Sequence, residues 1–90
     1  MKISILLPYK ENFSPMYPGA VSLFVDSTTK NSKYKNNIII YGNTKFKERF
    51  KLKYFNINLS KNVFQSQSRI YVKKFIIEEL KKPSNLIEIH

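Results

Sequence analysis

Cysteine and tryptophan are absent from this chain, and glycine occurs only twice and histidine once. Without cysteine, neither a disulfide framework nor a Cys-ligated metal centre can form, so any metal site would depend on His90 and a few carboxylates. No G-x-G-x-x-G fingerprint, Walker-type G-K-[ST] or G-x-S-x-G elbow occurs, and no carboxylates pair at glycosidase-like positions. We therefore expect no metal and no resident cofactor, and P-loop and hydrolase functions are disfavoured.

The first apolar run is short. Residues 3–7 end at Pro8, and five residues are too few for the core of a signal peptide or for a membrane span. Hydrophobic residues nevertheless make up 42% of the 90 residues, which indicates a packed core near the lower size limit of a single domain. The expected location is the cytoplasm.

Acidic residues are also scarce, which leaves a net charge of +10. Such a charge attracts nucleic acids or anionic membranes, yet only Arg49 and Arg69 represent arginine, the residue preferred for bidentate phosphate recognition. An AT-rich coding bias would also produce excess lysine. Residues 45–53, with interleaved aromatics, could contact an anionic membrane surface or could be an ordinary exposed edge. We expect no specific nucleic-acid partner, and peripheral contact at the inner face of the membrane stays open.

Hydrophobic periodicity predicts strands over 2–7, 37–41 and 85–89 and helices over 19–30 and 66–82. The segment 44–54 reads either as an edge strand or as a short helix before a strand at 54–59, and we favour the helix. The predicted buried faces are Ala20, Leu23, Phe24 and Ser27, widened by Val21 and Val25, on the first helix, and Ser68, Tyr71, Val72, Phe75, Ile76 and Leu80 on the second. The alternation indicates an α/β, Rossmann-like domain with a mostly parallel four-stranded sheet of order 3-2-1-4 and flanking helices.

Gly19 is the first candidate site residue, because it begins a helix at the carboxyl edge of this sheet. The N–H groups of Gly19, Ala20 and Val21 would suit a phosphate or a sugar hydroxyl, although Gly19 could simply make the turn. His90 falls at the carboxyl end of the last strand, where ligand-contacting side chains collect. It could bind a substrate hydroxyl or act as a general base, or it could have no role.

Two loop charges are weaker candidates. Glu11 could contact an acceptor hydroxyl, and Lys10 beside it could meet a phosphate. Most Lys and Glu side chains are solvated, so the simpler interpretation is that both are exposed loop residues.

Four segments together resemble a known family. Residues 2–8, the loop end Tyr17-Pro18-Gly19-Ala20-Val21, residues 38–42 and residues 86–90 are similar in order and spacing to the N-terminal domain of family 4 glycosyltransferases of the GT-B fold. Such enzymes have two Rossmann-like domains facing a cleft, and residues 1–90 correspond to an incomplete N-terminal, acceptor-side domain. The resemblance implies that Gly19, with Pro18 and Ala20, approaches the donor phosphates and the acceptor. Pro18 replaces the first of two glycines usual in the family, and His90 matches a histidine beside the reacting sugar.

The resemblance implies a metal-independent glycosyltransferase that moves a sugar from a nucleotide-sugar donor to a hydroxyl acceptor, such as a cell-envelope glycan or a lipid-linked glycan. The donor would be a substrate held by a C-terminal domain missing from this sequence, so we expect the chain alone to be inactive. Two alternatives stay open: a small basic nucleic-acid-binding module and a non-catalytic α/β interaction domain.

Overall fold

The computed structural model describes residues 1–59 and 66–90, in which a four-stranded parallel sheet lies between two α-helices. The elements in chain order are β1 (Ile3–Leu6), α1 (Ala20–Lys30), β2 (Ile38–Gly42), β3 (Tyr54–Asn56), α2 (Gln67–Lys81) and β4 (Leu86–Ile89), with a 3₁₀ turn at Lys35–Asn37 before β2. The strand order is β3-β2-β1-β4 and every pairing is parallel. The predicted α/β class and strand order are confirmed.

The two faces of β1 pack against different helices. Ile5 and Leu7 belong to a buried cluster with Val25 of α1, whereas Leu6 belongs to a cluster with Tyr71 and Phe75 of α2. Alternate residues of a strand point to opposite faces, so the helices cover opposite sides of the sheet. An interior strand covered on both faces is apolar throughout, which explains the short apolar run at the start of the sequence.

The buried face of α1 differs from the predicted one. The helix buries Ser22, Val25 and Thr29, while Leu23 and Phe24 are 51% and 58% exposed. With Ser22, Val25 and Thr29 against the sheet, the two larger apolar residues lie on the outer side of the helix. The predicted placement of Ala20, Leu23, Phe24 and Ser27 on the sheet is therefore wrong, whereas Val25 is buried as predicted.

The buried face of α2 is narrower than predicted. Tyr71, Phe75 and Glu79 are buried at four-residue intervals, and this face includes a carboxylate that periodicity of apolar residues could not detect. Four of the residues assigned to it are exposed instead: Ser68, Val72, Ile76 and Leu80. The helix begins after Ser66, whose hydroxyl accepts from the Arg69 N–H at 3.3 Å.

The Glu79 carboxylate fastens α2 to the sheet. It accepts hydrogen bonds from the hydroxyl of Ser4 and, at 2.7 Å, from that of Ser84, and the Lys2 ammonium lies 3.9 Å away. Burial alone would raise the pKa of Glu79, but the two hydroxyl donors, the Ser84 backbone N–H and the Lys2 charge outweigh it and hold that pKa below its ordinary value. The ionised carboxylate is thus stabilised by folding.

The segment before β3 is neither the short helix we favoured nor an edge strand. Residues 43–53 are irregular, and Phe50 and Leu52 are half-buried against the cluster on the α1 face. The Phe13 ring contacts Phe50 edge-on at 5.0 Å and stacks on Tyr54 at 5.3 Å between centroids. Aromatic contacts rather than the hydrogen-bond ladder of a strand therefore order this segment. β3 starts at the predicted Tyr54 but ends at Asn56. Within the described ranges, no helix combines the length and the apolarity needed to cross a membrane.

Candidate functional site

The loops that leave β1 and β2 enclose a cavity at the carboxyl edge of the sheet. Its volume is about 440 Å³, and we call it the carboxyl-edge cavity; its lining residues are Lys10, Asn12, Asn43, Thr44 and Lys45. Lys10 has a φ of 68°, a left-handed conformation that is uncommon outside glycine and marks a constrained loop. Two ammonium groups, two amides and a hydroxyl make this lining positive and rich in hydrogen-bonding groups.

A buried hydrogen-bond network centred on Thr44 holds the floor of the cavity. The Phe13 N–H donates to the Thr44 hydroxyl at 3.1 Å, and that hydroxyl lies 2.5 Å from the hydroxyl of Tyr54. The Tyr54 hydroxyl donates to the Asn56 side-chain oxygen at 2.9 Å, and the Thr44 N–H donates to the same oxygen at 2.7 Å. Burial raises the pKa of Tyr54, so its hydroxyl stays protonated as a donor at neutral pH. The β1–α1 loop is thereby tied to the ends of β2 and β3.

The two cavity amides are positioned through their nitrogen atoms. Asn43 donates to the carbonyl of Ile57 at 2.8 Å, and Asn12 donates to the carbonyl of Tyr17 at 3.5 Å. The short bond orients the Asn43 side chain by a contact within the protein, whereas the long, solvent-exposed bond of Asn12 constrains that side chain little. An anionic or polyhydroxyl ligand would therefore meet one amide that is already ordered, which lowers the entropy cost of binding.

Glu11 lies at the start of α1, where a phosphate was predicted to bind. Its Oε2 accepts from the Ser22 N–H at 3.0 Å, and a Cβ built on Gly19 would lie 1.8 Å from that oxygen. A side chain at position 19 would thus push aside the flexible carboxylate of Glu11, which supplies the negative charge favoured at a helix N-terminus. A phosphate at this position would first have to displace the carboxylate. Beside Gly19, Pro18 is half-buried and Ala20 is exposed.

His90 lies at the carboxyl end of β4, beyond β1 from the cavity. The backbone N–H of His90 donates to the backbone carbonyl of Leu6 at 3.1 Å. In the side chain, Nε2 lies 3.4 Å from a carboxylate oxygen of Glu88. The ring is 6.3 Å from that of Phe24 on α1, and 21% of the side chain is exposed. The predicted site residues consequently fall into three places: Lys10 at the cavity, Glu11 and Gly19 at α1, and His90 at β4.

Most of the residues that line the cavity were not identified as candidates from the sequence. Asn43 and Thr44 follow Gly42 directly, and a polar pair just after a buried parallel strand was the signal that could have identified them. Asn12 and Lys45 come together only through the fold. In the described residues, no three His, Asp or Glu side chains form a group that could hold a metal ion.

The chain was compared with known proteins in three ways. Scanning protein-family models, curated proteins and solved structures returned no match to the chain. The functional argument therefore rests on the carboxyl-edge cavity, which is lined by ammonium, amide and hydroxyl groups at the carboxyl edge of a parallel sheet.

Proposed function

We propose that this chain is the acceptor-side part of a cytoplasmic glycosyltransferase, which transfers a sugar from a nucleotide-sugar donor to the hydroxyl of a glycan or lipid-linked acceptor. The observation that carries the proposal is the carboxyl-edge cavity itself, at the edge where open parallel sheets bind ligands. Its lining has ammonium and amide groups and no carboxylate. The strand order β3-β2-β1-β4 supports the Rossmann-like part of the resemblance.

The cavity chemistry suits a phosphorylated sugar. Amides and hydroxyls exchange hydrogen bonds with sugar hydroxyls, while lysine ammonium groups attract phosphate as point charges. Lys10 and Lys45 would hold the phosphate of a lipid-linked acceptor, and Asn43 would bind the attached sugar. The proposal includes peripheral contact at the inner face of the membrane, to which the basic surface would add attraction.

His90 would assist at the other end of the acceptor. Adjacent strands lie about 4.8 Å apart, so the end of β4 is within reach of an acceptor that starts in the cavity beside β2 and crosses β1. The imidazole would accept the proton of the attacking hydroxyl, and Glu88 would stabilise the resulting cation. The resemblance implies that the donor would be bound by a second domain, across the cleft from the residues described above.

The test is a titration of the ¹⁵N-labelled chain, followed by amide chemical shifts, with sugar phosphates, neutral oligosaccharides, nucleotide sugars and a short single-stranded DNA. We expect sugar phosphates to shift the amides of residues 10–12 and 43–45, with the His90 amide responding to longer acceptors. Dissociation constants of about 1 mM are expected, because few groups make contact.

Lys45→Ala and Lys47→Ala form the matched pair for this titration. Both lysines are exposed and only Lys45 lines the cavity, so Lys45→Ala should weaken binding about fivefold and Lys47→Ala less than about twofold. The proposal fails if no sugar phosphate shifts these amides. It fails equally if the DNA binds there more tightly than every sugar ligand, which would favour a nucleic-acid-binding module.

A further inference from the structure

Half of the cations of the chain lie at one edge of the sheet. All four strands are parallel, so the segments that precede them meet at one edge, which we call the amino edge; its segments are residues 1–2, 30–37, 51–53 and 81–85. These segments, about a fifth of the chain, contain eight of the sixteen cations, all of them lysines, and no acidic residue. A coding bias adds lysine throughout the sequence, whereas the fold concentrates it at this edge.

Most of these lysines have no acidic partner. Three of them lie near a carboxylate, and the pairs are Lys2 with Glu79, Lys30 with Asp26 and Lys81 with Glu78. For the other five, no carboxylate lies at ion-pair distance in the part of the chain that the structure describes. Like charges that gather without counterions repel one another, and a bound anion relieves this repulsion. The five are Lys33, Lys35, Lys51, Lys53 and Lys82.

A groove lined by four of the five unpaired lysines crosses the amino edge, and we call it the amino-edge groove. It consists of two cavities of about 360 and 400 Å³ that share Asn36 and Lys53. Lys35 and Lys51 line the first cavity, beside β2 and β3, and Lys82 lines the second, beside β4. Adjacent strands lie about 4.8 Å apart, so the groove runs about 14 Å across the four strands.

Two ammonium groups of the groove are held in place by backbone carbonyls. That of Lys53 donates to the Asn36 carbonyl and that of Lys2 to the Lys82 carbonyl, both at 2.6 Å. The Asn85 side-chain oxygen accepts from the Lys2 backbone N–H at 2.8 Å, which leaves the NH₂ group of that amide as a donor. An ammonium group has three N–H donors, so Lys53 can still donate to a ligand. Lysine and amide donors of this kind make the phosphate contacts in nucleic-acid complexes.

We infer that the amino-edge groove binds the backbone of a single-stranded nucleic acid, whatever its base sequence. Lysine ammonium groups attract phosphates as point charges and release counterions, whereas bidentate recognition of bases uses arginine, which the amino edge lacks. Tyr34, between Lys33 and Lys35, is 42% exposed and offers a ring on which any base can stack. This binding goes beyond the proposed transferase function, because the groove and the carboxyl-edge cavity lie at opposite edges of the sheet.

The amino edge favours a nucleic acid over an anionic membrane. In its segments, Met1 and Tyr34 are the only large apolar side chains that are exposed, so little apolar surface would enter a bilayer. The lipid phosphates of a membrane lie on a broad surface, whereas a single strand follows a groove lined with cations. The shape of the site and its polar lining therefore point to the nucleic acid.

Fluorescence anisotropy of a labelled oligothymidylate of about twelve nucleotides tests the binding. A dissociation constant of about 10 µM is expected at about 50 mM salt, and the logarithm of the association constant should fall with the logarithm of the salt concentration with a slope of about −3, as four lysines displace counterions from a single strand. Vesicles with about 30% phosphatidylserine are the second ligand. No binding of the oligonucleotide would overturn the inference, and so would tighter binding of the vesicles.

A matched pair of double variants tests the place of binding. Lys35→Gln with Lys51→Gln removes two charges from the groove, and Lys47→Gln with Lys73→Gln removes two elsewhere; all four lysines are exposed. The groove variant should bind about tenfold more weakly, with a salt slope shallower by about 1.4, and the control should lose less than about twofold. Circular dichroism establishes that both are folded. Equal losses would show that net charge alone attracts the oligonucleotide, and the inference would be wrong.

Amide chemical shifts of the ¹⁵N-labelled chain locate the oligonucleotide independently of any substitution. Residues 33–36, 51–53 and 82–85 should shift, and residues 43–45 at the carboxyl-edge cavity should not. Shifts confined to residues 43–45 would contradict the inference, because the strand would then occupy the other edge of the sheet.

Discussion

The two faces of the sheet are held together in different ways. On the α1 face, the side chains of Phe13, Ile40 and Val25 are almost completely buried in one apolar cluster, and the buried polar groups are hydroxyls without a carboxylate among them. On the α2 face, Tyr71 and Glu79 place polar groups in the interior and join helix to strand by hydrogen bonds. Apolar burial is not directional, whereas a buried hydrogen bond requires one orientation. The contribution of the α2 face to stability should therefore depend more on pH and on single-atom changes. The contribution of the α1 face should depend more on the volume of its buried side chains.

The largest effect is expected from Phe13→Ala on the α1 face. Phe13 is fully buried and contacts both Phe50 and Tyr54, so removing its ring should cost about 3 to 4 kcal/mol of unfolding free energy. Urea denaturation measures this change. Phe24→Ala, at a site that is 58% exposed, is the control and should cost less than about 1 kcal/mol. Equal losses for the two variants would contradict the apolar description of this face.

Glu79→Ala on the α2 face should rank second. It removes the acceptor shared by the Ser4 hydroxyl and by the hydroxyl and backbone N–H of Ser84, together with the partner of Lys2, at a cost of about 2 to 3 kcal/mol. The matched control is Glu88→Ala, whose side chain is 52% exposed and should change the unfolding free energy by less than about 0.5 kcal/mol. Both values follow from urea denaturation at pH 7.

The same carboxylate should make the α2 face sensitive to acid. The pKa of Glu79 is lowered by folding, so its contribution is present above the unfolded pKa, about 4.3, and is lost as pH falls through the lower folded value. Unfolding free energy measured from pH 6 down to pH 3 should fall less steeply for Glu79→Gln than for the wild type. Glu88→Gln should leave the change of unfolding free energy with pH as it is in the wild type. If Glu79→Gln also leaves it unchanged, Glu79 is not the cause of the acid sensitivity.

Tyr71→Phe tests a single hydrogen bond on the α2 face. The Tyr71 hydroxyl donates to the Leu7 carbonyl at 2.6 Å in a buried position, and deleting it should cost about 1 to 1.5 kcal/mol while keeping the ring. Tyr34→Phe, at a residue that is 42% exposed, should be close to neutral. Thermal unfolding resolves the difference. A neutral Tyr71→Phe would mean that ring packing alone fixes α2.

Glu11→Gln should give the smallest effect, at the start of α1. The amide oxygen can still accept from the Ser22 N–H. The substitution removes the negative charge at the positive end of the helix dipole, at a cost of about 0.5 to 1 kcal/mol. Glu48→Gln, at an exposed carboxylate, is the control for the change in net charge. If Glu11→Gln costs no more than Glu48→Gln, Glu11 does not stabilise α1.

Much of the architecture was predictable because local patterns decide it. Pro8 ends the β1 region, the Ser66 cap and Pro83 bound the α2 region, and the alternation of apolar strands with helices requires parallel pairing. The orientation of each helix was not predictable in the same way. Ser22 and Glu79 face inward and Phe24 faces outward, because close approach and buried hydrogen bonds depend on partners distant in the sequence.

The candidate site divides along the same line. Four candidate residues, Lys10, Glu11, Gly19 and His90, were identified from their places after strands. Their grouping was not predictable, since Glu11 binds the start of α1 and Lys10 lines a cavity with Lys45. The amide and hydroxyl lining of the cavity depends on contacts between residues 12 and 17 and between 43 and 57, and no local pattern encodes such pairs.

The sequence by itself determined the two helices, the strands on either side of them, their parallel order and the basic character of the surface, because periodicity, proline and charge act locally. Only the tertiary structure decided which side chains meet at the carboxyl edge and that a carboxylate closes the start of α1. Those outcomes depend on packing and hydrogen bonding between segments far apart in the chain, whose free energy is set by the whole fold.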